Sequence, residues 1–279
     1  MPTLLLLCLL GLLSCLATES AFVFLGHYCP NTTTFIPYSS YETNLNFVIS
    51  SLSSNVTRDT GFYNVTAGRT PPDVAYGLFL CRGDVTSQVC QDCVATAVNE
   101  TVRRRCRGFK QAIIWYDECM LRYSNESFFS QVSEAPRVAM YNIQNITEKN
   151  QFNQVLEDTL SAIRTQAVND LSGKKFATKE KNFTGFQTVY SLVQCTPDLS
   201  PDQCNRCLIG TIAILPDCCG GKQGARVLFP SCNVRYELYP FYQSVAAPPS
   251  PPPARPSEPS TEGKLPLCNS GSSIYGMSF

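Results

Sequence analysis

The sequence has a single histidine, His27, a single tryptophan and no net charge, its 22 basic side chains balancing 22 acidic ones over 279 residues. With one imidazole, a histidine general base or a multi-histidine metal site has almost nothing to draw on. A formal charge of zero, read with no basic block, argues against the concentrated Lys/Arg face that nucleic acid requires. Beyond the first 20 residues no apolar run reaches the roughly 18 residues a spanning helix needs. Present instead are 15 cysteines, 19 prolines and 44% apolar residues, enough for real cores at a length that suits two small domains.

The leader fixes the expected compartment. Leu4 to Leu16 is an almost unbroken apolar run, followed by Ala17, Thr18, Glu19 and Ser20. This suits a secretory signal over residues 1–20 cleaved before Ala21, although its first residues lack Lys and Arg. Seven N-x-S/T sequons, at Asn31, Asn55, Asn64, Asn99, Asn125, Asn145 and Asn182, fit a glycosylating route. Residues 246–259, "AAPPSPPPARPSEP", read as an extended stalk, and the polar tail through Phe279 as disordered, so that 244–279 holds no packed domain.

Between leader and stalk the chain repeats itself. "YGLFLCRGDVTSQVCQDC" (Tyr76 to Cys93) matches "YSLVQCTPDLSPDQCNRC" (Tyr190 to Cys207) at an offset of 114, both carrying C-x8-C-x2-C. "CMLRY" from Cys119 answers "CNVRY" from Cys232, and Cys106 and Cys219 stand thirteen positions before them. The units are placed at 21–130 and 131–243. Leu45, Val48, Ile49 and Leu52, and Phe152, Val155, Leu156, Leu160 and Ile163, recur at helical spacing and predict one amphipathic helix per unit. A second helix should follow Cys90 and Cys204. "GFYNV", "AYGLFLC", "AIIWY" and "CMLRYS" read as strands, and their irregular alternation with helices predicts α+β, two helices on an antiparallel sheet in each unit.

Removal of Cys8 and Cys15 with the leader leaves 13 cysteines, six per repeat and Cys268 in the tail. C-x2-C spacing fits zinc or a redox pair in principle. In an oxidising compartment, without a nearby histidine cluster, a disulfide framework is the reading, with no metal and no cofactor expected. Spacing alone does not choose among the pairings.

The tandem C-x8-C-x2-C units, with "YGLFLCRGD", "IIWYDECMLRYSN", "KFATKE", "LVQCTPDLS" and "SCNVRYELYPFY", closely resemble the extracellular region of plant cysteine-rich receptor-like kinases and cysteine-rich repeat secretory proteins. Their unit is the ginkbilobin-homologous, or salt-stress-response/antifungal, domain. The resemblance covers residues 21–243 and implies two helices on a five-stranded antiparallel sheet per unit. It also implies bridges Cys29–Cys106, Cys81–Cys90 and Cys93–Cys119 in the first repeat, and Cys195–Cys204 and Cys207–Cys232 in the second. Near Tyr141, where a further cysteine should fall, there is none, and Cys218 and Cys219 are adjacent. A vicinal bridge, free thiols or other partners stay open for them, as for Cys268.

Ginkbilobin looks like a mannose-binding lectin that uses an Asn after the first cysteine, an Arg six residues before the last and a Glu five residues after it. The second repeat matches with Arg226 and Glu237, and Asn142 is the nearest counterpart of the Asn; the first repeat has Pro30, Ile113 and Ser124 instead. Arg donors and a Glu acceptor suit vicinal hydroxyls. The structural alternative is an ion pair between neighbouring strands. Trp115, Tyr116, Tyr123 and Phe128 read as core, "GGKQG" from Gly220 as a turn into a strand, His27 as exposed, and Asp117 and Glu118 as pointing to opposite faces of a strand.

No catalytic constellation and no kinase motif is present, although the resemblance stops in the stalk at about Gly263 and Lys264 as if an ectodomain had been shortened of its membrane helix and kinase. The expectation is therefore a secreted, apoplastic, non-catalytic binding module for a mannose-type carbohydrate or an extracellular protein in stress or defence signalling. Its alternatives are a direct antifungal mannan-binding effector and a protein–protein module without sugar binding.

Overall fold

The structure is a computed structural model that describes residues 22–243. The expected leader, the proline stalk, the tail and Cys268 lie outside the described residues. The first repeat runs β1 (Phe24–Tyr28), α1 (Ser40–Ser54), β2 (Phe62–Ala67), β3 (Ala75–Cys81), α2 (Ser87–Thr96), a π-helix (Ala97–Arg105), β4 (Ala112–Tyr116) and β5 (Cys119–Ser124). The second runs β6 (Val138–Tyr141), α3 (Lys149–Val168), β7 (Phe176–Asn182), β8 (Thr188–Cys195), α4 (Pro201–Cys219), β9 (Ala225–Leu228) and β10 (Cys232–Glu237). The sheets are antiparallel, ordered β1-β4-β5-β3-β2 and β6-β9-β10-β8-β7, so the duplication seen in sequence is a duplication of topology.

Local chemistry explains the elements. Helix α1 starts at Ser39, whose hydroxyl accepts from Glu42 N at 3.3 Å, and it buries Tyr41, Leu45, Val48, Ile49 and Leu52 on one face. Helix α4 has a full capping box, Ser200 with Gln203, and Pro201 in its first turn. The π-helix simply prolongs α2 and was not foreseen, and neither were the short edge strands β1 and β6.

Strand alternation then assigns the faces. Ala75, Phe79, Ile114, Leu121 and Tyr123 point to the helices of the first repeat, and Val193, Val227, Val234 and Tyr236 to those of the second. The opposite faces meet each other. Leu78, Leu80, Ile113, Trp115 and Met120 of the first sheet form one apolar cluster with Phe128 and with Leu228 of the second, Val138 packing alongside. The expectation that Trp115, Tyr116, Tyr123 and Phe128 fill core holds, since all four are buried. At Gly83 a Cβ would collide with the ring of Phe176 from the other repeat, so a glycine is required where the units touch.

Six disulfides are present among the described residues: Cys29–Cys106, Cys81–Cys90 and Cys93–Cys119 in the first repeat, Cys195–Cys204, Cys207–Cys232 and the adjacent pair Cys218–Cys219 in the second. Cys81–Cys90 ties β3 to α2 and Cys93–Cys119 ties α2 to β5, and their second-repeat equivalents do the same for α4.

Candidate functional site

The pairing register decides where Asn142 belongs. Tyr28 of β1 lies opposite Ile113, and Met140 of β6 lies opposite Arg226, the repeat equivalent of Ile113. Tyr141 therefore stands where the first repeat has Cys29, and Asn142 is the residue just after that position. Its N–H donates to Gly224 O at 2.8 Å, and its Oδ1 accepts from Gln144 N at 2.9 Å, which fixes the side chain in an Asx turn.

The three singled-out residues come together. Asn142, Arg226 and Glu237 line one cavity of about 190 Å³ with Met140, Tyr141 and Tyr239. Glu237 is 7% exposed and its carboxylate lies against Gly224, in the space any Cβ there would need. The aromatic members were missed in the sequence. Tyr141 and Tyr239 are 53% and 49% exposed, which neither strand pattern nor composition signals.

The expected alternative of a direct Arg226–Glu237 ion pair is corrected. Both sit on neighbouring strands and on the face turned to the other repeat, but Arg226 lies directly opposite Arg235. Two guanidiniums side by side need an anion between them. The first repeat supplies it: Asp117 Oδ1 accepts from Arg226 Nη1 at 2.5 Å and from Arg235 Nη1 at 2.9 Å. Arg82 Nη1 reaches Asp117 Oδ2 at 3.0 Å and pairs through Nε with Asp84 at 2.7 Å, while Arg235 Nε donates to Glu237 Oε1 at 3.1 Å. Asp117 and Glu118 are also corrected: they form the turn between β4 and β5 rather than strand positions, which lets Asp117 reach across. Burial by itself would raise the Asp117 carboxyl, but Arg235, Arg226 and Arg82 outweigh it and hold it below its usual range. Burial and the neighbouring Arg235 pull Arg226 below the usual arginine value against the Asp117 carboxylate. Burial and Asp117 push Glu118 up.

The duplication is visible even here. Arg122 stacks over Phe128 at 4.0 Å and Arg235 over Phe241 at 3.9 Å, the two pairs being 113 residues apart. Burial brings Arg122 down to about 10.

Three further expectations can be placed. His27, exposed on β1, has a ring nitrogen within 4.8 Å of the sulfurs of Cys29 and Cys106, but those sulfurs are bonded to each other and offer no thiolate to a metal. Of the sequons, Asn31, Asn99, Asn145 and Asn182 are exposed and Asn55, Asn64 and Asn125 partly buried. The neutral charge total conceals a cluster, since Arg103, Arg104, Arg105, Arg107 and Lys110 place five cations within eight residues. This corrects the expectation of a chain without a basic block; the equal sums of the two signs had hidden it.

Two disulfide-bonded α+β repeats thus dock sheet to sheet through an apolar cluster and a shared ion network. The chain belongs to the salt stress response/antifungal family, whose profile matches residues 28–126 and 140–239. It is 50% identical over 253 residues to a cysteine-rich receptor-like protein kinase 25 of Arabidopsis thaliana, covering 86% of this chain and 37% of that protein. It is 43% identical over 222 residues to a cysteine-rich repeat secretory protein 38 of the same plant, covering 79% of this chain and 86% of the relative. The fold matches the crystal structure of the tandem DUF26 ectodomain of the Arabidopsis thaliana cysteine-rich receptor-like protein PDLP8, with a TM-score of 0.70 at 22% identity over 79% of this chain and 100% of that one. The chain thus spans little more than a third of the kinase relative. No helix among the described residues is long and apolar enough to cross a membrane.

Proposed function

We propose that the chain is an extracellular, non-catalytic binding module of the apoplast and that its second repeat holds a neutral, mannose-type sugar. One observation carries this reading: the strand register gathers Asn142, Arg226 and Glu237 around a single cavity with Tyr141 and Tyr239 at its rim. A carboxylate accepts from vicinal hydroxyls, an amide both donates and accepts, and exposed tyrosine rings offer apolar faces to the C–H side of a pyranose. In the secreted protein, Asn142→Ala and Glu237→Gln should abolish mannan binding on a glycan array, with the thermal midpoint of Asn142→Ala unchanged. Mannan binding indifferent to both changes, or absent from the unaltered protein, would overturn the reading.

A second reading rests on the bonds Arg226 and Glu237 already make. With Arg226 on Asp117 of the first repeat and Glu237 holding Arg235, which also reaches Asp117, the pair serves the docking of the repeats, and the module recognises an extracellular protein through other surfaces. It is favoured if Arg226→Ala lowers the thermal midpoint and no variant alters sugar binding.

A further inference from the structure

The duplication leaves one groove twice. In the first repeat it runs between α1 and the π-helix and holds about 650 Å³; in the second it runs between α3 and α4 and holds about 480 Å³. The floors correspond: Leu45, Ile49, Cys106 and Tyr123 in one, Leu156, Leu160, Cys219 and Tyr236 in the other. The walls do not. Arg103 and Arg107 line the first groove, and 113 positions on the second has Pro216 and Gly220. On the facing helix Asn46 of the first is answered by Glu157 in the second. Glu42 of the first is answered in turn by Asn153, so each groove has one carboxylate on that helix, and one scaffold carries a cationic groove and, as its internal control, a groove that has lost its cations.

The other cations of the cluster are engaged. Arg104 pairs with Glu100 at 3.1 Å, Arg105 lies over Phe24 at 4.7 Å and Lys110 lies over Tyr41 at 5.4 Å. Arg103 and Arg107 are exposed and have no ion-pair partner among the described residues. The carboxylate in their groove, Glu42, already accepts from Tyr38 N at 2.5 Å. Opposite the arginines α1 presents Asn46, Ser50, Ser53 and Ser54, a neutral row of hydroxyls and an amide above an apolar floor.

From this arrangement we propose that the first-repeat groove binds a carboxylated polysaccharide, a uronate chain. The guanidiniums of Arg103 and Arg107 would take carboxylates in forked hydrogen bonds, the serines and Asn46 would meet ring hydroxyls, and the floor would carry sugar C–H faces. Ser53 and Ser54 already donate to Ile49 O at 3.0 Å and Ser50 O at 2.9 Å, so their hydroxyl oxygens are left as acceptors for the hydroxyl donors of a sugar ring, which a carboxylate alone does not supply. The proposal is independent of the second-repeat cavity and stands or falls separately from mannan binding.

The test is calorimetry of the secreted full chain with an oligogalacturonate, beside its fully methyl-esterified form and poly-L-glutamate of matched charge. The acidic oligosaccharide should bind, the ester should not, and poly-glutamate should bind more weakly. Arg103→Gln with Arg107→Gln should lower the affinity by about tenfold or more, the scale of one lost charge-assisted contact. Arg103→Lys with Arg107→Lys, which keeps charge but not the fork, should fall between, and Asn142→Ala should bind like the unaltered protein. No binding by the unaltered chain, equal binding of the ester or of poly-glutamate, or undiminished binding by the glutamine pair would each overturn the proposal.

Discussion

Asp117 holds more of the molecule than any residue its sequence neighbourhood advertises. Its carboxylate is 18% exposed and stands between two arginines that face each other across β9 and β10, so losing it leaves Arg226 without a carboxylate and Arg235 with Glu237 alone in a largely dry seam. Asp117→Ala should cost about 3 kcal/mol in denaturant unfolding, the range for breaking a buried pair from one side. The pH dependence has a definite sign. Because its partners hold the folded pKa below the unfolded value, the contribution is complete above the ordinary carboxylate pKa, about 4, and is lost as pH falls through the depressed value. Stability of the unaltered protein should therefore drop more steeply than that of Asp117→Ala as pH falls below about 4, and parallel acid profiles would refute the assignment. Arg226 and Glu237 stand out in the sequence because the resemblance to ginkbilobin marks the positions six residues before and five after Cys232. Asp117 does not, because its partners are 109 and 118 residues away. A strand reading of the segment even turned it away from them.

At the scale of elements, the bridges differ in what they constrain. Cys207–Cys232 closes 25 residues and joins α4 to β10, whereas Cys218–Cys219 closes none, so chain entropy gives the first far more weight. Replacing Cys207 and Cys232 by Ala should lower stability by about 2–5 kcal/mol, and replacing Cys218 and Cys219 by Ala should cost clearly less. Thermal unfolding of the two double variants compares them directly, and the reverse order would contradict the entropic account. Helices α1 and α3 were plain in the sequence because apolar residues recur over three or more turns. Strands β3, β4 and β5 were plain because aromatic and β-branched residues crowd them. β1 and β6 were not, since five- and four-residue edges carry little pattern and are held by pairing with β4 and β9. The π-helix was hidden because its composition is that of an ordinary polar helical turn.

At the scale of the molecule, the seam between the sheets combines an apolar cluster with a charged network, and both repeats contribute to each. Leu78, Leu80 and Trp115 come from one repeat, and Arg226, Arg235 and Leu228 from the other. The units are therefore not beads on a string, and chemical unfolding should give a single transition by circular dichroism. Leu228→Asp, which buries a carboxylate against Trp115 and Met120, should separate it into two. A single transition in that variant would mean that the ion network alone couples the repeats. The two-unit α+β architecture was legible from the repeat and its cysteines. The docking was not, because repeat equivalence says what each unit is and nothing about which faces meet.

The lone indole gives this seam an optical voice. Trp115 is the chain's only tryptophan, 3% exposed, and it lies on the sheet face that meets the second repeat rather than in either helix-covered core. Its emission is thus a native beacon for undocking: light absorbed by one residue would announce the parting of the repeats while the secondary structure of both stays intact.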